Sequence, residues 1–364
     1  MSVEKDRISN KQLAFFTIQT AIGEGALTVP FSVHSEASID GWISMLLAGF
    51  ATHLVIILIW MICRKYPKMT MIEFLPQMVG KFAGHLLSVL YIIYFIGIAS
   101  VILMNYCRII NAWIFPTTPK WVIMTLMMAT SYYLAKEKLK IIARFETLVS
   151  ILLIIIIILI IFPISKGNPL YIFPIGQSGL GNMMKGMREA VITLAGFELL
   201  LMVYPQVKGK DGEILKTMLI SYTFVTLFYV LIILSCFMFF SPMELKIIPE
   251  PVLYMLKAFS FRIVERSDLL FLSLWVVIVM TSIVNYVFLA STGITQILKV
   301  ENSSKVTLLV VVVCLLLALL PHNFLFIIKL NKWFSYFALF MIYLIPLPLL
   351  LLLSILRGRR KAAE

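Results

Sequence analysis

Gly23, Glu24 and Gly25 are the residues of this chain whose types and spacing best suit chemistry with a small solute. They interrupt a stretch from Leu13 to Phe31 that is otherwise apolar enough to cross a bilayer. A bare carboxylate at membrane depth costs about 2.5 kcal/mol or more, so it needs a cavity, a partner or a proton. The glycines free the backbone, and irregular backbone is tolerated at that depth where protein or water satisfies its polar groups. The pattern therefore predicts a broken helix that opens a small polar gap near the midplane.

A second interruption of the same kind occurs in the other half of the chain. Gly196, Phe197 and Glu198 place a glycine and a carboxylate near the middle of another apolar stretch. The first stretch is predicted to cross the membrane outwards and this one inwards. Equivalent interruptions in halves of opposite orientation predict an inverted repeat.

The two breaks also predict the polarity of a ligand. The outer half of the first broken helix begins near Gly25, so its free backbone N–H groups would bind a carboxylate. The carbonyls near residues 20–22 would face an ammonium group. The second break would add carbonyls from Thr193 to Gly196 and an apolar wall from Phe197. A zwitterionic amino acid fits this polarity better than a sugar or a simple ion.

The two glutamates at the breaks leave more than one role open. An ionised Glu24 would repel the carboxylate of a ligand, so Glu24 is expected to be protonated, to point away from the ligand or to contact its amine. The alternative for Glu24 and Glu198 together is a structural role, in which each braces its unwound segment.

Helical spacing predicts further walls of the site. One face of the third predicted span repeats at steps of three and four residues: Tyr91, Tyr94, Ile98, Val101, Asn105 and Arg108. Tyr94, Ile98 and Val101 fall near mid-depth, whereas Asn105 and Arg108 lie towards the outside, where Arg108 could pair with Glu189 at the start of the sixth span. The eighth span carries Thr281, Ser282 and Asn285 near mid-depth. For both faces the alternative is packing and hydrogen bonding between helices.

The composition identifies the class of protein. Hydrophobic residues make up 61% of the chain and charged residues 13%, and the mean hydropathy is +0.99. Soluble domains carry about 25% charged residues, so the chain is predicted to be a polytopic membrane protein. The net charge is +13, and the positively charged residues cluster between the apolar stretches. This placement indicates membrane topology rather than nucleic-acid binding. Its cysteines and histidines are dispersed and no nucleophile–base pair occurs, so the sequence predicts no metal, no cofactor and no enzymatic activity.

Ten stretches are predicted to span the membrane. Their approximate bounds are 12–33, 42–63, 83–115, 120–136, 146–165, 187–206, 216–240, 268–297, 305–321 and 334–356. With the N-terminus inside, twenty Lys and Arg residues fall on the inner side and ten on the outer side. This bias predicts that both termini are cytoplasmic. A single membrane domain would cover residues 1–364, with one repeat at about 11–165 and the other at about 186–357.

Two of the predicted outer segments are long enough to do more than connect spans. One runs from Ser165 to Gly186, and the other contains an amphipathic piece, Val252 to Phe259, that is predicted to lie on the membrane surface. Either segment could cap the solute path or contact a partner; the alternative is a simple surface connection.

The breaks and several short motifs together resemble a known family. Gly23-Glu24-Gly25 in a broken first span resembles the amino acid–polyamine–organocation transporter superfamily. More narrowly, the chain resembles the B subunits of the spore germinant receptors of endospore-forming bacteria, and the resemblance covers essentially the whole chain. The motifs that carry it are Ser9 to Leu13, Gly23 to Pro30, Asp40 to Ile43, Gly196 to Glu198 and Tyr204-Pro205.

The resemblance implies a fold, a location and a function. The fold would be all-α, LeuT-like, with ten transmembrane helices in a five-plus-five inverted repeat and discontinuous helices 1 and 6. The protein would lie in the spore inner membrane, bind a germinant that is often a small amino acid, and signal with an A subunit and a lipoprotein C subunit. Its pocket would be lined by Gly23 to Ala26 and by Thr193 to Glu198.

One departure from the superfamily bears on mechanism. Some proton-coupled members carry a lysine within span five in place of a sodium ion, but residues 145–162 contain none here. Coupled transport is therefore not predicted, and uncoupled passage stays open. The main alternative to a sensing subunit is an amino acid permease that works by alternating access. A third hypothesis is a ligand-opened conduit for ions or water.

Overall fold

The computed structural model describes residues 6–259, 266–300, 302–320 and 324–349. Within these residues the named elements are helical. The α-helices are α1 (Asn10–Ala21), α2 (Gly25–Ala37), α3 (Gly41–Lys65), α4 (Met71–Val79), α5 (Lys81–Trp113), α6 (Lys120–Ala135), α7 (Leu139–Val149), α8 (Ile151–Ile161), α9 (Gly179–Thr193), α10 (Leu200–Val203), α11 (Asp211–Phe239), α12 (Pro251–Lys257), α13 (Ser267–Leu298), α14 (Ser303–Leu319) and α15 (Phe324–Leu339).

Six of the helical stretches are long and apolar enough to cross a membrane. They are Gly25–Lys65, Lys81–Trp113, Leu139–Lys166, Asp211–Phe239, Ser267–Leu298 and Leu325–Leu349. Helix α14 is a shorter apolar helix. With their high hydropathy, these stretches make the chain an integral membrane protein, as the composition predicts.

The last described helix begins ten residues before its predicted start at residue 334. Helix α15 begins at Phe324 and continues through a π-helical turn at Phe340–Leu344. The prediction was wrong because Lys329, Asn331 and Lys332 resemble a polar connection. In the structure Asn331 turns inward towards α5, while Lys332 is exposed. Residues 350–356 of the predicted span lie outside the described residues.

The first break separates α1 from α2 at residues 22–24. Ser9 and Gln12 start α1 with a reciprocal capping box, and at its other end Ile22 leaves helical geometry with φ −92° and ψ 101°. Side chains of other helices donate to the carbonyls that the break exposes. The Tyr229 hydroxyl donates to the Ala21 carbonyl at 2.8 Å and the Trp275 indole to the Gly23 carbonyl at 3.2 Å. Buried carbonyls without these donors would destabilise the break.

The second break follows α9 and is built around Gly196. This residue has φ +126°, a backbone conformation that residues other than glycine rarely adopt. Its N–H donates to the Glu198 carboxylate at 2.7 Å, and a short 3₁₀ turn at Phe197–Leu199 leads into α10. Both breaks expected from the Gly and Glu pattern are therefore present as interruptions between helices.

The amphipathic segment at residues 252–259 is packed into the protein rather than laid on the membrane surface. Its helix, α12, packs against α2, α11 and α13, and Val252, Leu253 and Met255 are fully buried. The apolar face was correctly recognised, but its partner is protein and not lipid.

The connection between α8 and α9 is fixed to the turn that precedes α3. Asp40 accepts the N–H groups of Gly176 and Ser178 at 2.7 and 2.9 Å and the Ser178 hydroxyl at 2.6 Å. Asp40 is fully buried and accepts three hydrogen bonds from this loop, so the loop is held against the helix bundle.

Candidate functional site

A cavity of about 230 Å³ lies where the two breaks meet. Helices α5, α11, α13 and α15 close it on the other sides. Its described lining residues are Thr20, Ala21, Gly23, Glu24, Gly25, Thr28, Ser32, Ile98, Val101, Ile102, Asn105, Glu189, Ile192, Thr193, Ala195, Tyr229, Ser282, Tyr286, Asn331, Phe334, Ser335 and Ala338. The volume is below the roughly 300–1,000 Å³ of pockets for drug-sized ligands, so the cavity suits a small solute.

Two glycines allow the broken segments to approach their neighbours closely. A Cβ at Gly25 would lie 2.6 Å from Cγ2 of Thr193, at the end of α9. A Cβ at Gly23 would lie 2.9 Å from the Ser282 hydroxyl on α13. Real Cβ atoms essentially never come this close, so the first break touches the second only because residue 25 has no side chain.

The N-terminal end of α2 opens into the cavity. Gly25 is its first residue, and the N–H groups of Ala26 and Leu27 reach the carbonyls of Gly23 and Glu24 only at 3.4 and 3.3 Å. N–H groups at a helix start carry partial positive charge and bind anions. This end of the cavity can therefore hold a carboxylate group of a solute.

The inner side of the first break is less open to an ammonium group than the sequence suggested. The single O–H of Ser282 donates to the Gln19 carbonyl at 2.8 Å, with the Ile22 carbonyl as an alternative acceptor at 3.4 Å, and the Tyr229 hydroxyl donates to the Ala21 carbonyl. Each carbonyl keeps one further lone pair. The cavity also supplies the hydroxyl oxygens of Thr20 and Thr193.

Both carboxylates of the cavity have cationic or amide neighbours. Asn105 lines the cavity with Glu24, and both Asn105 and Arg108 interact with Glu24. Glu189 accepts from Arg188 at 2.9 Å. Asn105 in turn accepts from Asn331 at 3.0 Å, so α2, α5 and α15 are linked around Glu24. The cavity therefore contains two carboxyl groups, each with a polar or cationic neighbour.

Glu198 lies behind the cavity wall and joins three helices. Its carboxylate accepts from the Tyr94 hydroxyl at 2.7 Å, the Tyr286 hydroxyl at 3.1 Å and the Gly196 N–H. It is fully buried. Tyr286 lines the cavity, so Glu198 acts on the cavity by holding Tyr286 and the second break in place.

The predicted site residues fall into two layers. Those that line the cavity are Gly23, Glu24, Gly25, Ile98, Val101 and Thr193. Those that lie behind its described lining are Ala26, Tyr94, Gly196, Phe197, Glu198, Thr281 and Asn285. Phe197, expected as an apolar wall, is fully buried against the rings of Tyr222 and Tyr343.

Thr281 and Asn285 make hydrogen bonds between helices. Thr281 donates to the Gln19 side chain at 2.9 Å and Asn285 to the Thr20 hydroxyl at 2.7 Å. These contacts correspond to the alternative of interhelical bonding rather than to a direct wall of the cavity.

The sequence missed one whole side of the cavity. Helix α15 contributes Asn331, Phe334, Ser335 and Ala338, whose spacing of three and four residues places them on one face. Tyr229 of α11 was also missed. The spacing on α15 was a usable signal, but the late predicted start of this helix concealed it.

Arg108 pairs with Glu250. The sequence had suggested Glu189 as its partner instead. Glu250 directly precedes α12 and has only 7% of its side chain exposed. The prediction was wrong because the burial of α12 brings Glu250 to α5, while Arg188 is adjacent in sequence to Glu189. In the part of the chain that the structure describes, no cluster of three or more His, Cys, Asp or Glu residues could hold a metal ion.

Comparison with known proteins identifies the family. A family model described as "Spore germination protein" matches residues 7–327. The chain belongs to the spore germination protein family. Among its relatives, spore germination protein GerQB of Bacillus cereus is 25% identical over 348 residues, which is 96% of each chain. Spore germination protein YndE of Bacillus subtilis is 26% identical over 350 residues, covering 95% of this chain and 96% of the relative.

Solved structures show that this spore germination protein has a transporter fold. MhsT in complex with L-phenylalanine superimposes with a TM-score of 0.69 over 94% of this chain and 87% of the other, at 14% identity. A Na⁺-coupled sialic acid symporter superimposes with a TM-score of 0.68 over 96% of this chain and 79% of the other, at 15% identity. At these identities the likeness establishes the LeuT-like fold alone.

Proposed function

We propose that this chain is the germinant-sensing B-type subunit of a spore germinant receptor. It binds a small amino acid in the cavity between the two breaks and signals to partner subunits, an A subunit and a lipoprotein C subunit. It crosses the spore inner membrane ten times, as a five-plus-five inverted repeat, with both termini in the cytoplasm. Family membership supports the germination role, and the twenty-to-ten charge bias of the sequence supports the orientation.

The contact between the two breaks at Gly25 and Thr193 is the observation that carries this proposal. Any ligand at the start of α2 also lies against the end of α9, because both residues line one cavity. A zwitterion fits because the first turn of α2 suits its carboxylate, while Glu24 suits its ammonium group. The walls at Ile98, Val101 and Ile102 suit a short apolar side chain. Occupancy would favour one relative position of the two broken segments, which is what a signal requires.

The second candidate function is an amino acid permease. The transporter fold of the neighbours favours it, and so does a second cavity of about 400 Å³. This second cavity shares Ser32, Glu189, Ile192, Asn331 and Ser335 with the first. Two adjoining cavities of this kind would give a solute a way in, and alternating access would let it leave on the other side.

The deciding experiment measures binding and uptake with the same protein. Purified protein in lipid vesicles is given a panel of labelled small amino acids, and equilibrium binding is recorded beside accumulation and counterflow. The Gly25→Leu variant should lose binding because its side chain would enter the space that Thr193 fills. Gly181→Leu is the matched control, since Gly181 is also helical but a Cβ there meets nothing within 4 Å.

Saturable binding without uptake, lost in Gly25→Leu and kept in Gly181→Leu, is the result expected of a sensor. Uptake that Gly25→Leu abolishes would make the protein a permease. Normal binding by Gly25→Leu would remove the breaks from the site.

A further inference from the structure

A second polar site lies between α1, α7 and α13, next to the cavity but not part of its described lining. Its central residue is Glu146 on α7, which has 0% of its surface exposed. Glu146 lies on the buried face of α7 with Leu139, Ile142 and Ala143. Neither of its carboxyl oxygens has a hydrogen-bond partner among the described residues.

The neighbouring polar groups are already paired with one another. Gln19 donates to Ser150 at 3.1 Å and accepts from Thr281 at 2.9 Å. Ser150 donates to the Glu146 backbone carbonyl at 2.7 Å, and Thr20 donates to the Phe16 carbonyl at 2.7 Å. Each of these side-chain donors therefore already has an acceptor other than the Glu146 carboxyl group.

Asn285 on α13 supplies the only other unpaired polar atom that the structure describes in this cluster. Its Nδ2 donates to the Thr20 hydroxyl at 2.7 Å, and its fully buried Oδ1 has no partner. The Asn285 side chain is also close enough to interact with Glu146. Both carboxyl oxygens of Glu146 and the Oδ1 atom of Asn285 therefore lack a hydrogen-bond donor within the same buried cluster.

Turning the Asn285 amide does not remove the conflict. Nδ2 could then donate to one oxygen of Glu146, but the other oxygen would stay unpaired. An ionised carboxylate would also remain buried without a counter-ion. The polar side chains named in this cluster, Gln19 and Thr20 from α1 and Thr281 and Asn285 from α13, are uncharged, and Arg144 on α7 is exposed. Burying an unpaired charge is far more costly than burying a neutral acid.

We propose that Glu146 is a proton-binding site, in which the neutral carboxylic acid donates to Oδ1 of Asn285. One proton gives Oδ1 of Asn285 a donor and removes the buried charge, and the second carboxyl oxygen then remains as a neutral carbonyl, which is far less costly to bury than a charge. The site is connected to the cavity because Asn285 also donates to Thr20, which lines the cavity. Loss of the proton would repel Asn285 and disturb the end of α1 beside the first break. This inference does not depend on which solute the cavity takes.

Infrared difference spectroscopy of the full chain in lipid at neutral pH tests the proposal. An ordinary glutamate is ionised at that pH. Glu146→Gln should remove a carbonyl band of a protonated carboxylic acid and leave the carboxylate bands unchanged. The exposed Glu244 provides the control, because Glu244→Gln should remove carboxylate bands instead. Loss of carboxylate bands in Glu146→Gln would overturn the proposal.

A second variant keeps the test independent of whether Glu146→Gln folds. Asn285→Ala retains Glu146 but removes the acceptor of its proton, so the carboxylic acid band should move to higher wavenumber. A spectrum of Asn285→Ala without any shift of such a band would also overturn the proposal.

Thermal unfolding in detergent separates a proton from a bound cation. If the native state holds one proton that the unfolded chain releases, the folding equilibrium of the parent should fall by up to about tenfold per pH unit as pH rises. Glu146→Gln should lack this part of the slope. If sodium or potassium ions instead stabilise the parent and not Glu146→Gln, the occupant is a cation and the proton assignment is wrong.

Discussion

At the scale of single residues, Glu198 shows how a buried carboxylate can serve a site without touching it. Its three donors come from the third, sixth and eighth predicted spans: Tyr94, Gly196 and Tyr286. The last of these lines the cavity, so the carboxylate fixes part of the wall from behind. Of the two roles that the sequence left open for Glu198, this geometry favours the structural one.

Tyr94→Phe should lower stability without changing the cavity lining. It removes one donor to a fully buried carboxylate, which costs about 1–3 kcal/mol, and Glu198→Gln should cost more because an amide nitrogen cannot accept from the Gly196 N–H. Tyr133→Phe is the control, since Tyr133 is 73% exposed. The midpoint of thermal unfolding in detergent measures the effect. Equal midpoints for the parent and Tyr94→Phe would show that the hydrogen bond contributes nothing.

Gly25 and Thr193 form a contact that a double variant can isolate. Gly25→Ala should weaken ligand binding because the new Cβ would meet Cγ2 of Thr193 at 2.6 Å. Thr193→Ser removes that methyl group and leaves ordinary contacts at 3.5 Å or more. The pair Gly25→Ala with Thr193→Ser should therefore regain most of the affinity, measured by equilibrium binding. If the double variant binds no better than Gly25→Ala alone, steric contact is not the reason for the glycine.

At the scale of elements, α15 decides how wide the cavity is. It presents Asn331, Phe334, Ser335 and Ala338 to the breaks, and Asn331 bonds to Asn105 of α5. The face of α15 that carries small and polar residues points into the protein, whereas in a soluble protein the polar face of a helix points to solvent. A larger side chain on this face would take space from any bound solute.

Ser335→Val should reduce ligand affinity at least tenfold, which corresponds to about 1.4 kcal/mol. Ser273→Val is a matched control, because both hydroxyls donate to the carbonyl four residues earlier, at 2.7 and 2.8 Å, and Ser273 is exposed on α13. Binding isotherms for the two variants give the comparison. Similar losses in both would point to the hydroxyl–backbone bond and not to the cavity.

At the scale of the whole molecule, charge predicts the orientation of the chain in the membrane. The segments predicted to lie inside carry twice as many Lys and Arg residues as those predicted to lie outside, and the proposed topology depends on this asymmetry. The described cysteines, Cys63, Cys107, Cys236 and Cys314, are all buried. We therefore expect the native cysteines to react little with a thiol-labelling reagent.

Gly181→Cys and Gly212→Cys should be labelled from opposite sides of the membrane. A Cβ at either glycine meets nothing within 4 Å, so both variants should fold. A membrane-impermeant maleimide added to intact cells or right-side-out vesicles should modify residue 181, on the predicted outer side, at once. It should modify residue 212 only after the membrane is opened. The reverse pattern would invert the proposed topology.

The sequence by itself determined the class of protein and the positions of the two breaks. These are local properties, because a long apolar stretch favours a bilayer and a glycine within that stretch allows the helix to break there. Only the tertiary structure decided which side chains reach the cavity. Glu198 meets Tyr94 and Tyr286 across 104 and 88 residues of sequence, and α15 closes the cavity from the far end of the chain. Such contacts depend on how the helices are rotated and spaced, and periodicity within one helix does not fix the position of another.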